Sequence, residues 1–318
     1  PEAYIARTDT YIEKDMAIND KIDKMRLSAT RSLLERRDVI IVASVSCIYG
    51  LGSPEFYRGM NLEFSVGMDR RRDDILLHLI EMQYKRNDID FARSNFRVRG
   101  DVLDIFPAYE DEVALRIEFF GDEIEKITEI DPLTSKKLRS LQKVTLYPSS
   151  HHVTPEEARW TANQSIREEL VERVELFEKE SRYIEKQRIF ERTTYDLEML
   201  KETGTCKGIE NYSRHFSRRN PGEPPSCLLD YFPEDFLMIV DESHQTIPQL
   251  GAMNAGDRAR KQALVDFGFR LPSAYDNRPL SFDEVYRRMG QVLYVSATPA
   301  PFEVAEADGQ VVEQIIRP

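Results

Sequence analysis

No Gly-Lys dipeptide occurs anywhere in the 318 residues. The Gly-x-x-x-x-Gly-Lys-[Ser/Thr] loop that cradles nucleotide phosphates is therefore missing. Cysteine is also scarce. Cys47, Cys206 and Cys227 form no Cys-x-x-Cys pair and leave an odd thiol, which excludes a disulfide framework, argues against a thiolate metal site and suits a reducing cytoplasm. Apolar runs reach only about five residues, against the 18 or so of a membrane span, and no charged-then-apolar leader opens the chain. No membrane association is expected. Positive charge is in deficit, with 44 Lys and Arg against 56 Asp and Glu and a net charge of -12. Such a chain does not coat nucleic acid through phosphate contacts, so any DNA contact must be local. A leading methionine is absent as well, and Pro1-Glu2-Ala3-Tyr4 reads as a cut through a longer protein.

What is present is an ordinary apolar content of 41%, enough to bury a substantial core, in a length of roughly two domains at about 150 residues each. Residues 1–16 alternate around Tyr4, Ile5, Tyr11 and Ile12 without a helical period, and read as an extended, partly exposed ribbon, half of a hairpin. Asn19-Asp20 then caps a helix whose apolar positions Ile18, Ile22, Met25, Ala29 and Leu33 recur at helical spacing, with Arg36-Arg37 at the negative end of its dipole. A short, wholly apolar strand is expected at 39–43. Helix followed by buried strand is the grammar of an α/β layer fold.

The grammar changes over 59–150. One helix at 73–85 precedes alternating strands, 96–99 turning at Gly100-Asp101 into 102–106, and 115–120 turning at Gly121-Asp122-Glu123 into 124–130. Antiparallel hairpins in a separate α+β domain account for this. Thr154-Pro155-Glu156-Glu157 combines an N-cap, a proline at the first helical position and a glutamate two later. It opens a helical region to about residue 202, striped by Ile166, Leu170, Val174, Phe177, Ile184 and Leu200 and charged opposite, as in a packed helical hairpin. Residues 220–225 form a non-helical connector, and the α/β grammar resumes at Phe236.

Two strands carry the chemistry. The first, 236–240, runs into Asp241-Glu242-Ser243-His244. Adjacent carboxylates at a strand end can position Mg²⁺, through Asp241 and a water, and orient an attacking water, through Glu242, for phosphoryl transfer. Carboxylates there also commonly cap the next helix. The second strand, 292–295, runs into Ser296-Ala297-Thr298-Pro299, whose hydroxyls can bond the first group and relay whether nucleotide is bound. With His244 as a sensor of the site, the two elements resemble the middle of a helicase-type ATPase.

Longer strings make the resemblance specific. Asp-Thr-Tyr-Ile-Glu-Lys-Asp at 9–15, Ala-Ser-Val-Ser-Cys-Ile-Tyr-Gly-Leu-Gly at 43–52, Glu-Asn-Tyr-Ser-Arg-His at 210–215, Pro-Gly-Glu-Pro-Pro at 221–225, Gly-Asp-Arg-Ala-Arg-Lys at 256–261 and Phe-Gly-Phe-Arg-Leu-Pro-Ser-Ala at 267–274 are similar to the UvrB family. The similarity runs through essentially the whole chain. It implies an ATP- and Mg²⁺-dependent, helicase-like subunit that verifies damaged double-stranded DNA in bacterial nucleotide excision repair, receiving it from UvrA and recruiting UvrC.

In that family the phosphate loop and the first strand of a DNA-threading hairpin lie upstream and a second helicase domain follows, so this chain alone is expected to bind nucleotide weakly or not at all and to turn over no ATP. The resemblance places DNA contacts at Tyr4, Tyr11, Glu13 and Lys14, where aromatic faces can replace base stacking; without it, the tyrosines read as packing on a neighbouring domain. It places UvrA contacts at Arg86, Arg97 and Arg99. Arg97 and Arg99 share a strand face by period two, as a projecting anchor for partner carboxylates or as a solvated basic edge. His152 and Asn254 stand where the family usually has aromatic residues, and stacking by a histidine there would depend on its protonation.

The expected fold is α/β: an incomplete RecA-like P-loop NTPase domain at 17–58 and 223–318, preceded by the hairpin half at 1–16 and interrupted by an α+β UvrA-docking domain at 59–150 and a helical subdomain at 151–222. The competing reading is a non-catalytic UvrA-docking module, like the amino-terminal part of the transcription-repair coupling factor.

Overall fold

The computed structural model of the protein describes residues 2–13 and 19–314. Strands β1 (Ala3–Ile5) and β2 (Thr10–Ile12) pair antiparallel with Tyr4 opposite Tyr11. The ribbon expected as half of a hairpin therefore folds back on itself, through a turn that ends with Asp9 in the left-handed region at φ 45°, which a short polar side chain tolerates. Helix α1 (Asp20–Glu35) starts where the sequence places it, with the Ile22 amide donating to the Asn19 side chain at 3.2 Å. Helix α2 (Pro54–Gly59) is capped by Ser53, which accepts from the Phe56 amide.

Strand β3 (Leu62–Ser65) and helix α3 (Arg72–Glu81) lead into a six-stranded sheet. Its strands are β4 (Lys85–Arg86), β5 (Asn95–Arg99), β6 (Val102–Ile105), β7 (Ala114–Phe120), β8 (Glu123–Ile130) and β9 (Lys137–Leu141), in that spatial order. Only β4–β5 is parallel. Strand β10 (Lys143–Leu146) then returns to pair with β3. Both predicted hairpins form. Alternation dictates the packing: in β7, Leu115, Ile117 and Phe119 point to the core while Arg116, Glu118 and Phe120 point away, as period two requires. The core side of the sheet, with Phe96, Leu103 and Ile127, packs on Phe64, Ile75 and Leu79, each buried side chain being worth about 1.5–3 kcal/mol.

The same core takes in Leu27 of α1, Tyr57 of α2, Tyr147 and Tyr231, so the sheet domain is fused to its neighbours rather than strung beside them. His151 closes this junction. Its ring stacks on Tyr57 at 5.2 Å, meets Tyr231 edge-on and shares a 2.9 Å hydrogen bond with Thr30. The chain passes so close to Gly52 that a Cβ there would lie 1.4 Å from the His151 carbonyl oxygen, leaving room for glycine alone.

Helices α4 (Glu156–Lys179) and α5 (Tyr183–Thr203) form the expected pair, and α5 ends on Gly204 at φ 73°. The α4 start differs from expectation: Pro155 occupies the capping position with no side-chain cap, and Thr154 is buried instead. Ile184 lies off the packed stripe, 70% exposed, while Ile189 and Leu197 are fully covered. Helix α6 (Ser213–Phe216) packs against α4.

The last region holds β11 (Leu237–Val240), α7 (Ser243–Asp266), α8 (Phe282–Tyr286), β12 (Gln291–Tyr294) and α9 (Pro301–Glu306). Strands β11 and β12 run parallel, from Leu237 opposite Gln291 to Val240 opposite Tyr294. Met238, Val240, Val292 and Tyr294 pack inward with Ile48, Ile247, Leu280 and Val285. The other side is uncovered, with Leu237 at 56%, Ile239 at 59% and Leu293 at 51% exposure. The strand expected at 39–43 does not form, and Ile40 and Val42 are 93% and 95% exposed. A parallel strand exists only beside a hydrogen-bonded neighbour, and β11 and β12 pair only with each other among the described residues. The whole is a mixed α/β architecture.

Candidate active site and partner surfaces

Asp241 and Glu242 sit exposed at the carboxyl end of β11, beside the turn that follows β12. The register sets this up: the Val295 amide donates to the Val240 carbonyl at 2.9 Å and the Ser243 amide to the Val295 carbonyl at 3.0 Å, stitching the two strand ends together. His244 Nδ1 and Ser296 Oγ share a 2.7 Å hydrogen bond, and the Thr298 amide donates to Ser296 Oγ at 3.0 Å. Asp241 Oδ1 accepts from the Glu242 amide at 3.0 Å. The carboxylate pair, the histidine and the Ser296-Ala297-Thr298 turn thus form one constellation. Glu242 adopts φ 44°, ψ 49°, a left-handed conformation that costs a non-glycine residue about 1–3 kcal/mol and persists only where its surroundings enforce it. No group of three or more His, Cys, Asp or Glu residues suited to a metal occurs among the described residues.

At the hairpin, Tyr4 and Tyr11 turn their rings to the protein. Tyr4 lies 4.9 Å from Phe267 and 4.6 Å from Phe269, and Tyr11 stacks on Phe269 at 4.6 Å, 3° from parallel. The Arg188 guanidinium covers Phe269 at 4.1 Å. Both tyrosine rings thus pack on the segment that follows α7. Arg270, nearly buried, binds Glu2 at 2.9 Å, and Lys207 pairs with Glu13. Lys14 lies outside the described residues.

The arginines divide. Arg86 and Arg99 are exposed, Arg86 pairing with Asp88 at 3.1 Å. Arg97 is only 7% exposed. Its Nε donates to Asp104 at 2.9 Å, its Nη2 to Ser135 at 3.1 Å, and its guanidinium lies 4.1 Å from the Phe91 ring. The two arginines share one strand face as expected, but only Arg99 projects, because Arg97 is covered on that face by Asp104, Ser135 and Phe91. Asp104 stands directly opposite Arg97 in the β5–β6 register and would otherwise be a buried charge served by Arg116 alone, which is costly.

Of the two positions that depart from the family pattern, Asn254 donates to the Pro279 carbonyl at 2.8 Å, and His152 lines a small cavity with Phe56, Phe216 and Arg219. Sequence reasoning missed Phe267, Phe269 and Asp104. The first two were visible only inside the Phe-Gly-Phe-Arg string, and nothing in Val-Leu-Asp-Ile marks Asp104 as buried. It missed Glu303 too, which is buried and accepts from the Ser243 hydroxyl at 2.7 Å.

These features define a mixed α/β protein with a carboxylate pair at a strand tip tied to a hydroxyl turn on the next strand. Comparison with known proteins makes the likeness particular: over its whole length the chain is similar to UvrABC system protein B. Residues 62–152 match the UvrB interaction domain and residues 157–218 the UvrB third helical domain. Over all 318 residues it is 73% identical to UvrABC system protein B of Protochlamydia amoebophila, covering 47% of that relative. It is 60% identical to the proteins of the same name from Caldicellulosiruptor saccharolyticus and Geobacillus kaustophilus, covering 48% of each. The chain spans about half the length of the curated relatives it matches. The matches run through both strand-end elements and do not favour the docking-module reading. No helix among the described residues is long and apolar enough to cross a membrane.

Proposed function

We propose that the full-length protein is the ATP-dependent, helicase-like component of a bacterial excision-repair system, working in the cytoplasm on damaged double-stranded DNA received from UvrA and handed on with UvrC. On this reading β11, β12 and α7–α9 belong to a RecA-like P-loop NTPase domain, and the sheet of β4–β9 docks UvrA through its exposed arginines. The observation that carries the ATPase part is the joining of Asp241, Glu242, His244 and Ser296 across two parallel strand ends.

Asp241 would hold Mg²⁺ through water, and the ion when bound neutralises phosphate charge. Glu242 orients the attacking water, and the His244–Ser296 bond relays occupancy of the site to the turn at 296–298. The hairpin tyrosines, with Glu13 and Lys14, contact DNA by offering their faces to bases in exchange for Phe267 and Phe269. In the full-length protein Glu242→Gln lowers DNA-stimulated phosphate release by about 100-fold or more, while a fluorescent ATP analogue still binds; unchanged turnover overturns the assignment. The 318-residue chain, which has no Gly-Lys dipeptide, gives no phosphate release in the same assay.

A further inference from the structure

We propose that Glu303 is a positioning residue of the nucleotide site, holding the Asp241–Ser243 turn in its working shape through the Ser243 hydroxyl. The inference rests on the ATPase reading above and extends it to a residue outside both strand-end elements.

Glu303 lies on α9 and is 3% exposed. Its Oε1 accepts from Ser243 Oγ at 2.7 Å, while Oε2 accepts no hydrogen bond among the described residues. No Lys or Arg pairs with it among those residues. Burial pushes its carboxyl up, but the Ser243 hydroxyl and backbone hydrogen bonds at Glu303 and Ala300 outweigh this and hold it below the usual carboxylate range. Beyond the backbone at the start of its own short helix, the one side chain this buried carboxylate hydrogen-bonds among the described residues is Ser243, and an apolar side chain of similar volume would avoid its desolvation cost.

Its place in the fold supplies another reason for it. Ser243 is fully buried and held twice, by its amide to Val295 and by its hydroxyl to Glu303. It directly follows Glu242, whose left-handed backbone must be enforced from outside. The turn is thus fixed at three successive residues: Glu242 by Asp241, Ser243 by β12 and α9, and His244 by Ser296. Glu303 alone of these partners reaches in from beyond the Ser-Ala-Thr turn. A shift of α9 would move Ser243 and with it the Glu242 carboxylate, so Glu303 links the water-orienting group to the segment that leaves the site.

The test uses the full-length protein with Glu303→Ala, Glu303→Gln, Ser243→Ala and the Ser243→Ala/Glu303→Ala double variant. ATP turnover, KM, affinity for a fluorescent ATP analogue and thermal midpoint are measured for each. Glu303→Ala and Ser243→Ala each lower kcat by about 10- to 100-fold with KM and analogue affinity within about twofold. Their losses do not multiply in the double variant, as expected for two ends of one bond. Glu303→Gln, whose amide oxygen still accepts from Ser243, regains most of the rate. The proposal is overturned if Glu303→Ala only lowers the thermal midpoint, if the two losses multiply, or if Glu303→Gln is as slow as Ser243→Ala. Should Glu303→Ala fail to fold, the Gln and Ser243 variants decide alone. Glu242→Gln separates the two claims: if it leaves turnover intact the ATPase reading fails, whereas a dead Glu242→Gln beside fully active Ser243→Ala and Glu303→Ala refutes this inference only.

Discussion

Arg97 and Arg99 sit on one strand, yet truncating them has different consequences. Arg99→Ala removes an exposed cation and leaves the fold alone, so on the proposed docking role it weakens UvrA capture in a pull-down at an unchanged thermal midpoint. Arg97→Ala strips Asp104 of one of its two guanidinium partners and costs about 3 kcal/mol of stability, read by denaturant unfolding. Period two places both on one face, but only the opposing aspartate decides that Arg97 lies down and is covered while Arg99 projects. His151 makes a second prediction at this scale. Burial, with smaller contributions from His152 and Arg26, pushes it down from 6.5 to about 3. Between those values the unfolded chain binds a proton that the folded chain does not. Stability from this residue is therefore complete above pH 6.5 and is lost as pH falls toward 3, by up to about 1.4 kcal/mol per unit. Thermal midpoints from pH 7 to 5 fall less steeply in His151→Gln.

At the scale of elements, the hairpin of β1 and β2 is held by aromatic contacts that its own sequence does not contain. Phe269→Ala removes the ring on which both Tyr4 and Tyr11 lie, each pair being worth about 0.5–1.5 kcal/mol beyond burial. Amide protection across residues 3–12 falls in hydrogen exchange while that of β7 and β8 is unchanged. The contrast explains what was legible. The hairpins of the sheet domain announce themselves because alternation and Gly-Asp turns are local signals, and the α4–α5 pair does so because its stripe recurs along each helix. The ribbon at the start could be read as extended but not as closed, since its partner rings lie more than 250 residues away. The carboxylate pair and the Ser-Ala-Thr turn were readable as motifs, whereas Glu303, buried behind them, carries no motif at all.

For the whole molecule the strand expected at 39–43 is the instructive failure. Val-Ile-Ile-Val-Ala has the composition of a buried strand, but composition cannot supply a neighbour, and the β11–β12 pair keeps one apolar side in water. Exposed apolar patches rimmed by polar residues mark places where something else binds. Physically the 318-residue chain is an acidic colloid with a sticky spot. Its net charge of -12 keeps copies apart at low ionic strength, and salt, by shortening the Debye length to about 3 Å at 1 M, removes that repulsion without weakening apolar contact. Light scattering of the chain should therefore show its second virial coefficient turn from positive to negative as salt is raised, the reverse of what a nucleic-acid-coating protein would do on its polyanion.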